Sequence, residues 1–119
     1  MKRKKVCLNF KRDKKEVKVF ELNFLEKGLG LMLFRKNLLF NFKKPSNYAM
    51  HSFFCPKFYA VWTDDKFNVI EIQLVKPWRF SVKPKKSFSN LIEIPVKEKN
   101  KWILKFLVGS AKGLNTREK

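Results

Sequence analysis

The chain has 119 residues, 45% of them hydrophobic, with Phe alone contributing 13. That is enough apolar material for one folded domain, and it excludes an intrinsically disordered composition. Lys and Arg total 28 against 10 Asp and Glu, a formal charge of +18. Such an imbalance excludes an anion-repelling surface and draws polyanions. Five of the cations are Arg (Arg3, Arg12, Arg35, Arg79, Arg117) and the rest are Lys, so base composition of the genome can explain the choice of Lys. It does not explain why seven Glu leave so many Lys unbalanced. Cys7 and Cys55 are too few and too far apart for a disulfide framework. The first fifteen residues lack the apolar stretch of a secretory leader, and the longest apolar run, Leu29 to Phe34, is too short to span a bilayer. A cytoplasmic protein with reduced thiols, no membrane association and no cofactor is the expectation.

Val6, Leu8 and Phe10 alternate with Cys7 and Asn9, and after the polar break Arg12–Lys15 a second alternation runs from Val17 to Phe24. Two period-2 runs around a charged link predict a hairpin. Asn23 to Gly28 has the spacing for one capped helical turn, and Gly28 with Gly30 marks a bend. Asn37 to Phe42 is a short buried strand and Lys43 to Asn47 a loop. Tyr48 to Phe54 and Phe58 to Thr63 are aromatic-rich strands on either side of Pro56. Asp64-Asp65-Lys66 turns the chain into Phe67 to Leu74, the strongest strand pattern present. Lys76 to Lys86 is extended and broken by Pro, and Phe88 to Ile94 is a strand stopped by Pro95. Trp102 with Phe106 and Ile103 with Leu107 are i,i+4 pairs that favour a short amphipathic helix closing the core. The sum is one domain over 1–119, mainly β (α+β). It should be a compact barrel- or sandwich-like antiparallel sheet with one or two short helices, a basic N-terminal end (1–5) and a polar tail (109–119).

Candidate chemistry is sparse. His51 is the only histidine, and in a strand it and Ser52 face opposite sides. Cys55, among Phe53, Phe54 and Pro56, reads as a small apolar side chain. Asp64 and Asp65 are turn residues. One His and two distant Cys match no metal-ligand spacing, and Gly28-Leu29-Gly30 is not a phosphate loop. No catalytic residue and no metal site is therefore assigned.

The basic clusters are the stronger signal. Lys2, Arg3, Lys4, Lys5, Lys11, Arg12, Lys14 and Lys15 crowd the N-terminal fifteen residues with one acid, Asp13. Lys76, Arg79, Lys83, Lys85 and Lys86 interleave with Trp78 and Phe80. Cations neutralise phosphates and aromatic faces stack on unpaired bases, so this pattern suits single-stranded nucleic acid. The bland alternative makes Trp78 and Phe80 core residues. A further set, Glu71, Arg79 and Glu93, could line a shared cleft.

Gly30-Leu31-Met32-Leu33-Phe34-Arg35, then Tyr48-Ala49-Met50 with Pro56, Val69-Ile70-Glu71-Ile72, Lys76-Pro77-Trp78 and Leu91-Ile92-Glu93-Ile94-Pro95 follow one another in a consistent order. Over Glu16 to Val96 the chain thereby resembles domain-of-unknown-function family 192, an uncharacterised protein family. It departs from that pattern at Lys57 and Phe58, where many members carry Leu-Asp, and at Ser52, where many carry Asn. The resemblance implies a compact, mainly β, barrel-like fold. It brings no activity, substrate or cofactor.

Sequence reasoning thus points to a non-enzymatic basic module that binds RNA or a ribonucleoprotein such as the ribosome, in an oligomeric state left open. The alternatives are a small-molecule- or protein-binding β module whose lysines only confer solubility and, with least support, an enzyme using His51 or paired glutamates.

Overall fold

A computed structural model describes residues 2–22, 36–46, 55–79, 81–97, 100–109 and 116–118. In chain order the elements are β1 (Lys2–Phe10), β2 (Asp13–Glu21), β3 (Leu38–Ser46), β4 (Phe58–Thr63), β5 (Val69–Val75) and β6 (Phe88–Pro95). A single helical turn, α1 (Lys101–Leu104), then runs into a wider turn over Lys105–Gly109, and β7 (Thr116–Glu118) follows. The strands form one sheet in the order β1-β2-β3-β6-β4-β5-β7. Pairing is antiparallel except for β2 with β3 and β5 with β7.

The right-handed twist of strands lets such a sheet curl until its ends approach. Here the approach is made by hydrogen bonds. The Asn9 amide donates to the Phe67 carbonyl at 3.0 Å, and Asn9 Nδ2 donates to the Lys66 carbonyl at 3.2 Å. A bridge between Asn9 and Asn68 joins β1 to the start of β5. The expected mainly β, barrel-like architecture with a short helix is the observed one.

Alternation sorts the side chains onto two faces. Inside the curl lie Val6, Leu8 and Phe10 of β1, Val17 and Val19 of β2, and Leu39, Val61, Ile72, Ile92 and Ile94 of the other strands. Ile103 and Leu107, the i,i+4 pair, are buried among them, so α1 and the turn after it plug the curl. A second cluster packs on the opposite face of the central strands: Leu38, Phe40, Phe58, Ala60, Trp62, Val75, Val82, Phe88 and Leu91. A strand buried on both faces needs a continuous apolar run, and Phe58 to Trp62 supplies one.

Several boundaries differ from the sequence-based expectations. The basic end 1–5 is not a loose arm: Lys2 to Lys5 belong to β1 and pair with Glu21 to Lys18. The expected loop at Lys43 is β3 continuing to Ser46, with a register shift between Asn41 and Ser46 that accommodates Pro45. Phe67 is a turn residue with φ 63°, not the start of a strand. The tail is not wholly apart from the domain, since Thr116–Glu118 pairs with Ile72 to Leu74. The expected helical turn at 23–28, the bend at Gly30 and the strand at 48–54 lie outside the described residues.

Candidate nucleic-acid interface

The hairpin of β1 and β2 turns through Lys11 and Arg12, whose φ values are 50° and 69°. Two central residues with positive φ define the tight turn whose twist matches the strands it joins. Pairing then sets Arg3 opposite Phe20, Lys4 opposite Val19 and Lys5 opposite Lys18. Next to Phe20 the chain re-enters at Lys36 and Asn37. The Phe20 amide donates to the Asn37 carbonyl at 2.8 Å, and Asn37 Nδ2 donates to the Lys18 carbonyl at 3.4 Å. The far wall is fixed by buried Asn100, whose amide donates to the Lys97 carbonyl at 2.9 Å and whose Nδ2 donates to the Pro95 carbonyl at 2.8 Å.

These walls enclose a cleft of about 870 Å³. Among the described residues, Arg3, Lys4, Lys5, Lys18, Lys36 and Lys97 line it, against one carboxylate, Glu16. Lys4 is partly neutralised by Glu21, 3.1 Å away at the open end of the hairpin. Two aromatic side chains complete the lining. Phe20 is half-buried, with the Arg3 guanidinium 5.9 Å and the Lys36 ammonium 4.6 Å from its ring centroid. Trp102 on α1 is 47% exposed, with Lys15 Nζ 5.3 Å from its ring. Like-charged side chains held on one concavity focus the field toward an anion.

Arg3, Lys4 and Lys5, expected from the sequence to bind nucleic acid, line this cleft, and Lys15 reaches it through Trp102. Lys2, Lys11, Arg12 and Lys14 are exposed on the same hairpin but do not line it. The second expected cluster lies elsewhere. The Lys83 carbonyl accepts from Gln73 Nε2 at 3.2 Å and the Lys85 amide donates to Glu71 Oε1 at 3.1 Å, which lays this segment along β5. Lys76, Trp78, Arg79, Lys83, Lys85 and Lys86 are all exposed there, Trp78 by 59%. Trp78 also has φ 67°, unusual for a bulky residue. It is not a core residue, contrary to the bland alternative for this position, while Phe80 lies outside the described residues. Sequence reasoning missed Lys18, Phe20, Lys36, Lys97 and Trp102 as lining residues.

The expected cleft of Glu71, Arg79 and Glu93 is not assembled. Register places Leu38, Glu93, Ala60 and Gln73 in one row across β3, β6, β4 and β5, with Trp62 beside Glu71 in the next. β4 therefore separates the two glutamates, and Arg79 is exposed while Glu93 is buried. Burial pushes the Glu93 carboxyl up to about 8, so it is neutral at pH 7. Glu71 accepts from Gln73 Nε2, whereas Gln73 Oε1 and Trp62 Nε1 are buried without hydrogen-bond partners among the described residues.

Among the described residues no group of three His, Cys, Asp or Glu side chains could hold a metal, and no helix is long and apolar enough to cross a membrane. Cys7 is exposed and Cys55 half-buried against the second cluster, while His51 and Ser52 lie outside the described residues.

No family model and no curated protein matches the chain. Solved structures do. A proposed transcription regulator from Sinorhizobium meliloti 1021 superposes with a TM-score of 0.68 at 14% identity, covering 98% of this chain and 90% of its own. A protein of unknown function from Novosphingobium aromaticivorans DSM 12444 gives 0.68 at 11% identity, covering 85% of this chain and 78% of its own. The likeness establishes a shared fold.

Proposed function

We propose that this chain is a non-enzymatic, cytoplasmic binding module that engages RNA, within a ribonucleoprotein, through the cleft between the β1–β2 hairpin and α1. One observation carries the reading. Among the described residues, cations from β1, β2, the approach to β3 and the segment after β6 converge on one concavity, where Glu16 lines the wall and Glu21 pairs with Lys4. Charge serving solubility alone has no reason to gather from four separated segments. The resemblance to domain-of-unknown-function family 192 belongs to the same proposal and concerns the fold.

Fluorescence anisotropy with labelled RNA over a salt series tests the reading. Neutralising about five phosphates gives a slope of log affinity against log salt near −3.5 for a single strand. A flat response, or affinity unchanged by K18E/K97E, overturns it.

A second reading, a small-molecule-binding β module, is favoured by Trp62 Nε1 and Gln73 Oε1, which lack partners among the described residues and lie on β4 and β5, to one side of the strand that carries buried Glu93. Its mark would be a bound small molecule retained through purification and lost in E93Q. A clean native mass spectrum removes it.

A further inference from the structure

We infer that the cleft takes a single strand of RNA rather than a duplex, with Trp102 as the platform on which a base stacks. The inference rests on the RNA reading above and adds which form is bound.

The two aromatic linings differ in what their rings still offer. Phe20 is half-buried and carries Arg3 and Lys36 against its ring. Its π-surface is engaged by cations, and it serves to hold those two charges along the cleft wall. Trp102 is nearly half exposed, and among the described residues its ring contact is Lys15. An indole left in water at the wall of a basic cleft forgoes the burial available to its neighbours Ile103 and Leu107. A flat apolar partner recovers that burial, and an unpaired base is such a partner, since every base has a π-face.

Duplex RNA has no such face to give. Its bases are stacked inside the helix, and its accessible surface offers phosphates and 2′-hydroxyls. Size agrees. About 870 Å³ falls in the range of pockets that hold small organic molecules, ~300–1,000 Å³, which is room for a few nucleotides of one strand. Lys5 and Lys18 stand opposite each other across the hairpin, and both line the cleft together with Lys97 and Trp102.

The test uses the full chain and a labelled RNA of about a dozen nucleotides without self-complementarity, the same sequence as a duplex, and the matching single-stranded DNA. Wild type should bind single-stranded RNA about tenfold tighter than the duplex. W102A should lose about tenfold on the single strand and nothing on the duplex, with its salt slope unchanged, while W102F keeps most of the affinity. An equal loss on both forms, no loss on either, or a larger loss from W78A than from W102A overturns the inference. Tighter binding of the DNA strand overturns the assignment to RNA. Wild type that binds neither RNA form in a salt-dependent way defeats the RNA reading itself, a different outcome from the others. Should W102A fail to fold, quenching of wild-type tryptophan fluorescence by the single strand decides: its persistence in W102F overturns the platform, its loss supports it.

Discussion

The Lys36 ammonium stands 4.6 Å from the centroid of the Phe20 ring, and the two residues meet because β2 and β3 pair in parallel with Phe20 opposite Leu38, two residues after Lys36. Neither position is conspicuous in the sequence. Together with Arg3 on the same ring they set how two charges are presented to the cleft. F20L keeps an apolar side chain of similar bulk and removes the π-face. RNA affinity should fall several-fold, with a cost to stability below about 1.5 kcal/mol. Anisotropy and thermal melts of the same samples check both halves.

Lys11 and Arg12 occupy a turn whose two positive φ values suit Asn and Gly better than long side chains. K11N/R12G should therefore stabilise the protein by about 1 kcal/mol and raise its melting temperature. A lowered melting temperature would show that these cations make contacts that outweigh their backbone strain.

Asp64 organises the turn that meets β1. Its carboxylate accepts from the amides of Lys66 and Asn68, both at 2.9 Å, and from Asn68 Nδ2 at 2.9 Å. Partial burial raises its pKa, and these hydrogen bonds with the nearby Lys66 charge outweigh that and hold it below the ordinary carboxylate range. The ionised form is thus favoured by folding. Its contribution is complete above the unfolded pKa near 4 and is lost as pH falls through the lower folded value. D64A should cost about 1–3 kcal/mol at pH 7 and less at pH 2–3, read from denaturant melts at both pH values.

Glu93 works in the opposite sense. Burial raises its folded pKa to about 8, so the unfolded chain releases this proton first. Stability from this site is greatest below about pH 4, declines as pH rises toward 8, and is level above that. E93Q, which cannot ionise, should flatten that decline and be more stable than wild type at pH 9, by on the order of a few kcal/mol. A variant less stable than wild type at pH 9 would mean that the carboxylate has a partner in the folded protein.

Alternation made β1 and β2 legible from Val6, Leu8, Phe10, Val17 and Val19, because a half-buried strand must repeat every second residue. Lys2 to Lys5 show no such pattern. They are strand residues because β2 offers a partner as far as Glu21, which only pairing reveals. Crowding of charge identified Arg3, Lys4 and Lys5. Lys36 and Lys97 stand in distant stretches and are brought to the same cleft by the β2–β3 register and by Asn100. The interleaved cations and aromatics of 76–86 read like a binding strip, yet backbone contacts to Glu71 and Gln73 lay that strip along β5. Ile103 and Leu107 were recognisable as core by spacing; the exposure of Trp102, their neighbour, was not.

β6 lies between β3 and β4 in the sheet although it follows both in the chain. A ribosome making this protein must therefore extend it past Pro95 before either neighbour can acquire its inner partner. Until then two strand edges flanked by Leu39, Phe40, Val61 and Trp62 stand open on the nascent chain, and such edges invite pairing with other chains. Truncations ending before Phe88 should precipitate on synthesis, and the remedy is a longer C-terminus rather than a shorter one.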